Sequence, residues 1–308
     1  MMEELIIATI YAAIRAGTPL LLGTLGEIYA ERSGILNLGV EGMMIMGALA
    51  AFGVAHKTGN PWLGVLVAAI VGGLLSLIHA FLSITLQADQ VVSGLALTMF
   101  GLGVSGLLGK KYVGEPLKKN IRPIEIPVLS KIPVIGKILF QQDPLVYLSI
   151  FLTILLWFIL FKTKIGISIR SVGENPAAAD ALGVNVYLVR YCCTVLGGIL
   201  AGIAGAYLSV AYVPAWIERM TAGRGWIVIA LTIFAMWSPI RALFGAYLFG
   251  GVEALYFRLQ PYGIPTSLLG MLPYGATIIA LLIGTEETIR KKIGAPSALC
   301  KPYVRGEK

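Results

Sequence analysis

Residues 144–161 read PLVYLSIFLTILLWFILF, a run without a single charged side chain. A helix needs about 20 mainly apolar residues to cross the hydrocarbon core of a bilayer. This run therefore predicts a membrane-spanning helix. Because one span carries the chain from one side of the membrane to the other, the hydrophilic segments on either side of it, 110–142 and 163–189, are expected on opposite sides.

Apolar runs of similar length recur along the whole chain. They predict about nine spans, with a range of eight to ten, near 5–28, 34–55, 62–86, 91–109, 144–161, 190–213, 225–240, 242–258 and 264–285. The runs at 225–240 and 242–258 are short, and they could form a hairpin that does not fully cross. The expected fold class is all-α, a polytopic membrane protein with one transmembrane domain over 1–285 and a basic tail over 286–308.

The composition is also that of a membrane protein. Of the 308 residues, 57% are hydrophobic and 13% are charged, whereas soluble domains carry roughly 25% charged residues. The net charge of +8 is explained most simply by basic loops beside anionic lipid head groups, and no nucleic-acid partner is expected. The three cysteines have neither metal-ligand nor disulfide spacing. We predict no metal site, no cofactor and no catalytic residue.

A short helix is predicted in the hydrophilic stretch 170–186. Asn175 is a preferred N-cap residue, Pro176 suits the first helical position, and Gly183 suits the position just past the end. The residues between them are mostly alanine, which leaves a flat apolar face. A helix this short is not stable alone in water. Either the rest of the protein or a partner has to hold it, and the residues alone leave both possibilities open.

Polar residues and glycines are concentrated in the apolar surroundings of residues 27–44. This combination predicts a discontinuous helix that lines a cavity or a path. Asn37 and Glu41 are four residues apart and would lie on one helical face. Since a carboxylate at the bilayer centre costs at least about 2.5 kcal/mol unless it is solvated or paired, Glu41 is expected to line the path or to form an ion pair, with Arg15 as a candidate partner. Glu253 is interpreted in the same way.

Four stretches resemble a single family. They are ERSGILNLGVEGMM at 31–44, SVGENPAAADALG at 171–183, MTAGRGW at 220–226 and FGGVEAL at 249–255. In this order they resemble the inner-membrane permease subunits of ABC importers, in the branch for simple sugars and nucleosides that is akin to branched-chain amino-acid permeases. The spacing around 110–142, including QQDPLV at 141–146, looks most like the nucleoside-type members.

The resemblance implies a multi-pass permease subunit of the cell membrane that is not itself an enzyme. Two permease chains, identical or paralogous, would form the path for a nucleoside or simple sugar. Separate ABC ATPase subunits would dock on the cytoplasmic side, and an extracytoplasmic solute-binding protein would deliver the solute. The resemblance places 163–189 and the basic tail in the cytoplasm and 110–142 outside, an orientation that the nearly even distribution of basic residues leaves undecided.

The resemblance also implies roles for particular residues. We call 163–189 the coupling segment, because its helix would dock in the ATPase, with Glu174 and Asp180 at the rim of the contact. The residues predicted for this contact are Gly173, Glu174, Asn175, Pro176, Ala177, Ala178, Ala179, Asp180, Ala181, Leu182 and Gly183. Those predicted for the translocation path are Asn37, Glu41 and Glu253.

Two other classes of protein compete with this interpretation. A secondary transporter would use Glu41 and Glu253 for ion coupling, but it leaves the coupling segment unexplained. An intramembrane enzyme lacks support, because neither H-E-x-x-H nor G-x-S-x-G occurs. The chain also has no G-x-x-x-x-G-K-[ST] motif, so the energy for transport would come from another chain or from a gradient.

Overall fold

The computed structural model describes residues 2–260, 271–272, 275, 278 and 294–305. Within these residues the regular structure is helical, apart from two isolated β-bridges. The helices are α1 Met2–Arg32, α2 Val40–Thr58, α3 Pro61–Ala80, α4 Gln90–Gly109, α5 Ile135–Leu139, α6 Pro144–Lys162, α7 Lys164–Glu174, α8 Pro176–Ala181, α9 Val186–Tyr207, α10 Arg224–Phe234 and α11 Pro239–Leu259. Single π-helical turns extend α3 and α9.

Six helical stretches among the described residues are long and apolar enough to cross a membrane. They are Glu4–Arg32, Pro61–Thr85, Gln90–Tyr112, Pro144–Lys162, Val186–Tyr212 and Pro239–Leu259. The all-α membrane class is therefore confirmed, whereas the number of about nine spans is not. Apart from four single positions, the predicted span at 264–285 lies outside the described residues.

The predicted run at 34–55 does not begin as a helix. Gly34 has a φ of +95°, a left-handed conformation that favours glycine and often follows the end of a helix. It ends α1, and residues 33–39 form a buried non-helical connection before α2 starts at Val40. We call this connection the break. Because Asn37 lies in the break and Glu41 in α2, the prediction that they share one helical face was wrong.

The predicted hairpin at 225–258 has two unequal arms. Helix α10 has 11 residues, and at 1.5 Å per residue it is roughly 16 Å long, about half of the ~30 Å hydrocarbon core. Helix α11 has 21 residues and is long enough to cross. The segment 213–223, which precedes α10, is non-helical.

Small residues on α9 bring three helices close together inside the chain. A Cβ on Gly47 of α2 would lie 2.5 Å from the carbonyl oxygen of Gly202, and one on Gly72 of α3 would lie 2.9 Å from the Cα of Gly202. The G-x-x-x-G pair formed by Gly198 and Gly202 is thus used for internal packing, since a side chain at these positions would push the backbones apart.

Candidate functional site

Glu41 lies at the start of α2 and points to the start of α10. Its Oε1 accepts hydrogen bonds from the Thr221 hydroxyl at 2.6 Å and the Gly223 amide at 3.0 Å. Its Oε2 accepts one from the Gly225 amide at 2.6 Å. The first amides of a helix have no partner within the helix, and the N-terminal end of the helix dipole favours a negative charge. Glu41, which is only 4% exposed, therefore acts as a cap for α10.

Arg15, the candidate ion-pair partner for Glu41, does not pair with it. The Nε of Arg15 lies 3.6 Å from a carboxylate oxygen of Asp143, and its Nη2 donates to the carbonyl of Ala211 at 2.9 Å. Arg15 thus belongs to a different buried polar cluster, where Asp143 also accepts a hydrogen bond from Tyr207. The Thr221 hydroxyl and the amides of Gly223 and Gly225 take the place of a cation at Glu41.

Glu253 of α11 reaches the same short segment through Arg224. The Nη2 of Arg224 donates to Oε1 of Glu253, and its Nη1 donates to the carbonyls of Met220 and Thr221 at 3.2 Å each. The two predicted path residues Glu41 and Glu253 are therefore brought together around 220–225. Arg224 lies in the MTAGRGW stretch but was not assigned a role. The signal that could have identified Arg224 is its charge, because a cation in an apolar region requires a partner.

Asn37 occupies the break and is bonded to the break itself and to the two helices that the break connects. Its backbone N–H donates to a carboxylate oxygen of Glu27 at 2.9 Å, and its side-chain oxygen accepts from the Gly39 backbone N–H at 3.0 Å. Its side-chain nitrogen contacts the sulfur of Met43 at 3.5 Å. Asn37 is fully buried, and these hydrogen bonds join it to Glu27, Gly39 and Met43, not to Glu41.

Three side chains from α3 and α4 satisfy the polar backbone of the break. The acceptor for the Leu36 amide is Gln90, at 2.8 Å, and the Leu36 carbonyl is 3.0 Å from Nε2 of His79. The Leu38 carbonyl accepts from Thr98 at 2.8 Å. Irregular backbone at membrane depth is tolerated only when its polar groups are satisfied or face water. The histidine of α3 therefore helps to hold the break, which is a structural role.

The coupling segment folds as two short helices, α7 and α8. As predicted, Asn175 is the N-cap of α8, with its side-chain oxygen accepting from the Ala178 amide at 3.0 Å, and Pro176 is at the first helical position. Gly183 follows the helix with a φ of +85°. The predicted short capped helix is thus confirmed.

The surface of α8 is divided between the protein and solvent. Ala179 is buried, and it packs with Val172 of α7 and Val186 of α9. Four apolar residues remain exposed, with Leu182 at 85%, and they are Ala177, Ala178, Ala181 and Leu182. The chain itself therefore holds one face of the helix and leaves an apolar face open.

The two acidic residues predicted for the contact bond to residues 294–305 of the same chain, and Gly173 packs against the end of α1. Gly173 is buried, and a Cβ there would meet the carbonyl of Arg32. Glu174 accepts a hydrogen bond from the Ser297 hydroxyl at 2.9 Å, and Asp180 accepts one from Arg305 at 2.9 Å. Sequence reasoning did not foresee these contacts, because isolated polar residues in a tail show no pattern.

The chain is similar to known membrane transport proteins over most of its length. Residues 9–282 match the family described as branched-chain amino acid transport system / permease component. TsgC13 of Haloferax volcanii, a candidate glucose ABC transporter permease, is 40% identical, with 96% of each chain covered. The guanosine ABC transporter permease protein NupQ of Bacillus subtilis is 38% identical over 97% of this chain and 95% of its own. The nucleoside ABC transporter permease protein NupC of Lactococcus lactis is 38% identical over 89% of this chain and 91% of its own.

Proposed function

This chain belongs to the branched-chain amino acid transport permease family, and from that premise we propose that it is the permease subunit of an ATP-driven importer for a nucleoside or a simple sugar. Membership makes the chain an integral membrane permease component and not an enzyme. It does not favour the alternative of an ion-driven secondary transporter.

The exposed face of α8 is the observation that carries the proposal of a partner ATPase. A soluble helix usually directs its apolar residues inward, whereas Ala178, Ala181 and Leu182 are exposed. An apolar helix face of this kind fits a groove in a partner protein. The relatives are named as ABC transporter permeases, and this supports a separate ABC ATPase subunit as the partner.

The connections of α8 give the docked helix a mechanical role. Thr163 alone separates α6 from α7, and Asn175 alone separates α7 from α8. Residues 182–185 lead from α8 into α9. A displacement of α8 by the ATPase would therefore tilt α6 and α9, which are both long enough to span the membrane.

The orientation and the other partners follow from the same assignment. The coupling segment and the tail over 286–308 lie in the cytoplasm, and 110–142 lies outside. A second permease chain, identical or paralogous, completes the path, and an extracytoplasmic solute-binding protein delivers the solute. The relatives named for guanosine, nucleosides and glucose support a nucleoside or simple sugar as the substrate.

The translocation path is proposed to pass the break and the start of α10. These two interruptions of helical structure are joined by Glu41, and non-helical backbone inside a membrane is characteristic of cavities and paths. In this proposal Asn37 and Glu41 shape one wall. Glu253 supports the facing segment 220–225 through its ion pair with Arg224.

Uptake of labelled guanosine and of labelled glucose, in cells that lack the chain and in cells that express it, tests the proposal. We expect uptake of one solute to require the chain, to survive a protonophore and to stop when ATP is depleted. Uptake that stops with the protonophore while ATP is maintained would support the secondary transporter instead.

A further inference from the structure

The tail segment, which we define as residues 294–305, is attached to α7. The amide of Ala298 donates to the Gly173 carbonyl at 2.8 Å. The Ser297 hydroxyl donates to a carboxylate oxygen of Glu174 at 2.9 Å. Ala298 is 4% exposed, so the tail segment packs against the last turn of α7 and does not merely pass over it.

The same segment is attached to α8 and α9. Arg305 donates from Nε to Asp180 of α8 at 2.9 Å. The Tyr187 hydroxyl of α9 donates to the Tyr303 carbonyl at 3.3 Å, and the two rings lie 5.9 Å apart between centroids. The tail segment therefore contacts all three helices that surround the proposed ATPase contact.

Arg190 joins the tail segment to the end of α1. It is 2% exposed, and its Nε donates to the Ser33 carbonyl at 3.2 Å, while its Nη1 donates to the Lys301 carbonyl at 3.3 Å. In the described part of the chain no carboxylate pairs with it. A buried guanidinium is costly without partners, whereas carbonyls at a helix C-terminus attract a cation. One side chain thus holds both the start of the break and the tail segment.

Close packing leaves little room between these parts. A Cβ on Gly34 would lie 2.9 Å from Nη2 of Arg190 and 3.1 Å from the Ala298 carbonyl oxygen. A Cβ on Gly173 would lie 3.3 Å from Pro296 and would also overlap the Arg32 carbonyl. Packed interiors transmit displacement because they have few voids to absorb it.

We propose that the tail segment and Arg190 form a second mechanical link, which carries the movement of α8 to the break in the translocation path. The inference rests on the proposed function, because it requires an ATPase that moves α8. The link runs from Asp180 through the tail segment to Ser33, four residues before Asn37. It acts beside the direct covalent route through α6 and α9.

A charge exchange between the half-buried Asp180 and the exposed Arg305 tests the link. The transporter is purified with its ATPase and reconstituted, and labelled guanosine uptake is measured per ATP hydrolysed. We expect Asp180→Arg and Arg305→Asp each to lower this ratio roughly five-fold, the lower end of common coupling free energies. Combining both substitutions restores the pair and is expected to return the ratio toward that of the parent chain. Single variants with the parent ratio would overturn the proposal.

The rescue separates coupling from docking. If Asp180 acted only through the ATPase, a second substitution on the tail segment could not restore uptake, and a double variant as defective as Asp180→Arg would also overturn the proposal. Lys301→Ala is the matched control, because Lys301 contributes its backbone carbonyl to Arg190 and the substitution removes only an exposed cation. It is expected to keep the parent ratio.

A chain that ends at residue 293 provides a second test that does not depend on one ion pair. We expect this shortened chain to insert in the membrane and to retain the ATPase. Its guanosine uptake per ATP hydrolysed should be lower than that of the parent chain by about five-fold or more. An unchanged ratio in this chain would contradict the link. A failure of the proposed function would differ, because it would appear in the parent chain as absent ATP-dependent uptake.

Discussion

The amide of Gly225 donates to Oε2 of Glu41 at 2.6 Å, so a carboxylate from α2 closes the first turn of α10. Neither helix could satisfy these groups alone. The amides at the start of α10 have no partners within the helix, and the carboxylate is buried. The bond therefore connects the start of α2, directly after the break, with the start of α10.

Replacing Glu41 by glutamine should destabilise the protein. The amide keeps the shape of the side chain but directs an NH₂ group at one of the donors, which leaves a buried N–H or O–H unpaired. We expect a loss of about 1–3 kcal/mol in the free energy of unfolding, measured as reduced thermal stability in detergent. Glu218→Gln, at an exposed position, is the control. Parent-like stability of Glu41→Gln would contradict its role as a cap.

Glu41→Gln also separates the cap from the path. If Glu41 acts only as a structural cap, uptake should fall in proportion to the amount of folded transporter. If it also shapes the translocation path, uptake per folded transporter should fall further. Quantifying the protein in the membrane alongside guanosine uptake distinguishes the two.

The ion pair between Arg224 and Glu253 should behave as one unit. Both side chains are mostly buried, at 13% and 15% exposure, and removing one partner of a buried pair typically costs about 3–5 kcal/mol because the other charge remains. We expect Arg224→Met and Glu253→Met each to unfold at lower temperature and the double variant to be less destabilised than their sum. Strictly additive losses in a double-mutant cycle would argue against direct coupling. Arg219→Met, on the same loop but exposed, should have little effect.

A large charge on the open face of α8 should prevent the ATPase from docking. Ala178→Arg and Ala181→Arg place a guanidinium on exposed positions, so membrane insertion should be unchanged. We expect uptake and ATPase co-purification to fall roughly ten-fold or more, which corresponds to at least about 1.4 kcal/mol of lost binding free energy. Ala88→Arg, exposed in the connection between α3 and α4, is the control. Normal uptake in both α8 variants would exclude the docking role.

Gly225 should not tolerate even a methyl group. A Cβ there would lie 2.5 Å from both the Cα and the backbone nitrogen of Glu41, and backbone cannot give way as a flexible side chain can. We expect Gly225→Ala to lower stability by about 1–3 kcal/mol, as overpacking commonly does. Gly103→Ala is the contrast, because nothing lies within 4 Å of its Cβ and alanine favours a helix. If the Gly225→Ala chain is as stable as the Gly103→Ala chain, the backbones at Gly225 and Glu41 are not in close contact.

Local signals predicted some elements well. Asn175, Pro176 and Gly183 mark the ends of α8 because capping and left-handed backbone depend on residues next to the helix. The apolar runs predicted α6 and α9 because this signal is also local: whether a helix can cross a bilayer depends mainly on its length and composition.

Elements set by distant contacts were not predicted correctly. Helix α10 stops after Phe234, where Met236 and Trp237 adopt left-handed backbone with φ of +49° and +52°, and neither residue type favours that conformation. Trp237 is held there in part by its ring N–H, which donates to Glu31 of α1 at 2.5 Å. Only the folded chain brings these residues together. In the same way, only the fold shows that Glu41 is bonded by Thr221, Gly223 and Gly225 and not by Arg15.

The cap on α10 also has a consequence for how the protein is made. Glu41 and Gly225 are 184 positions apart, and at about 5–20 residues per second a ribosome needs roughly 10–40 s to synthesise that distance. Helix α2 therefore leaves the ribosome long before its partner exists. During that interval the insertion machinery or water has to shield the carboxylate, so assembly of the membrane domain is completed late in translation.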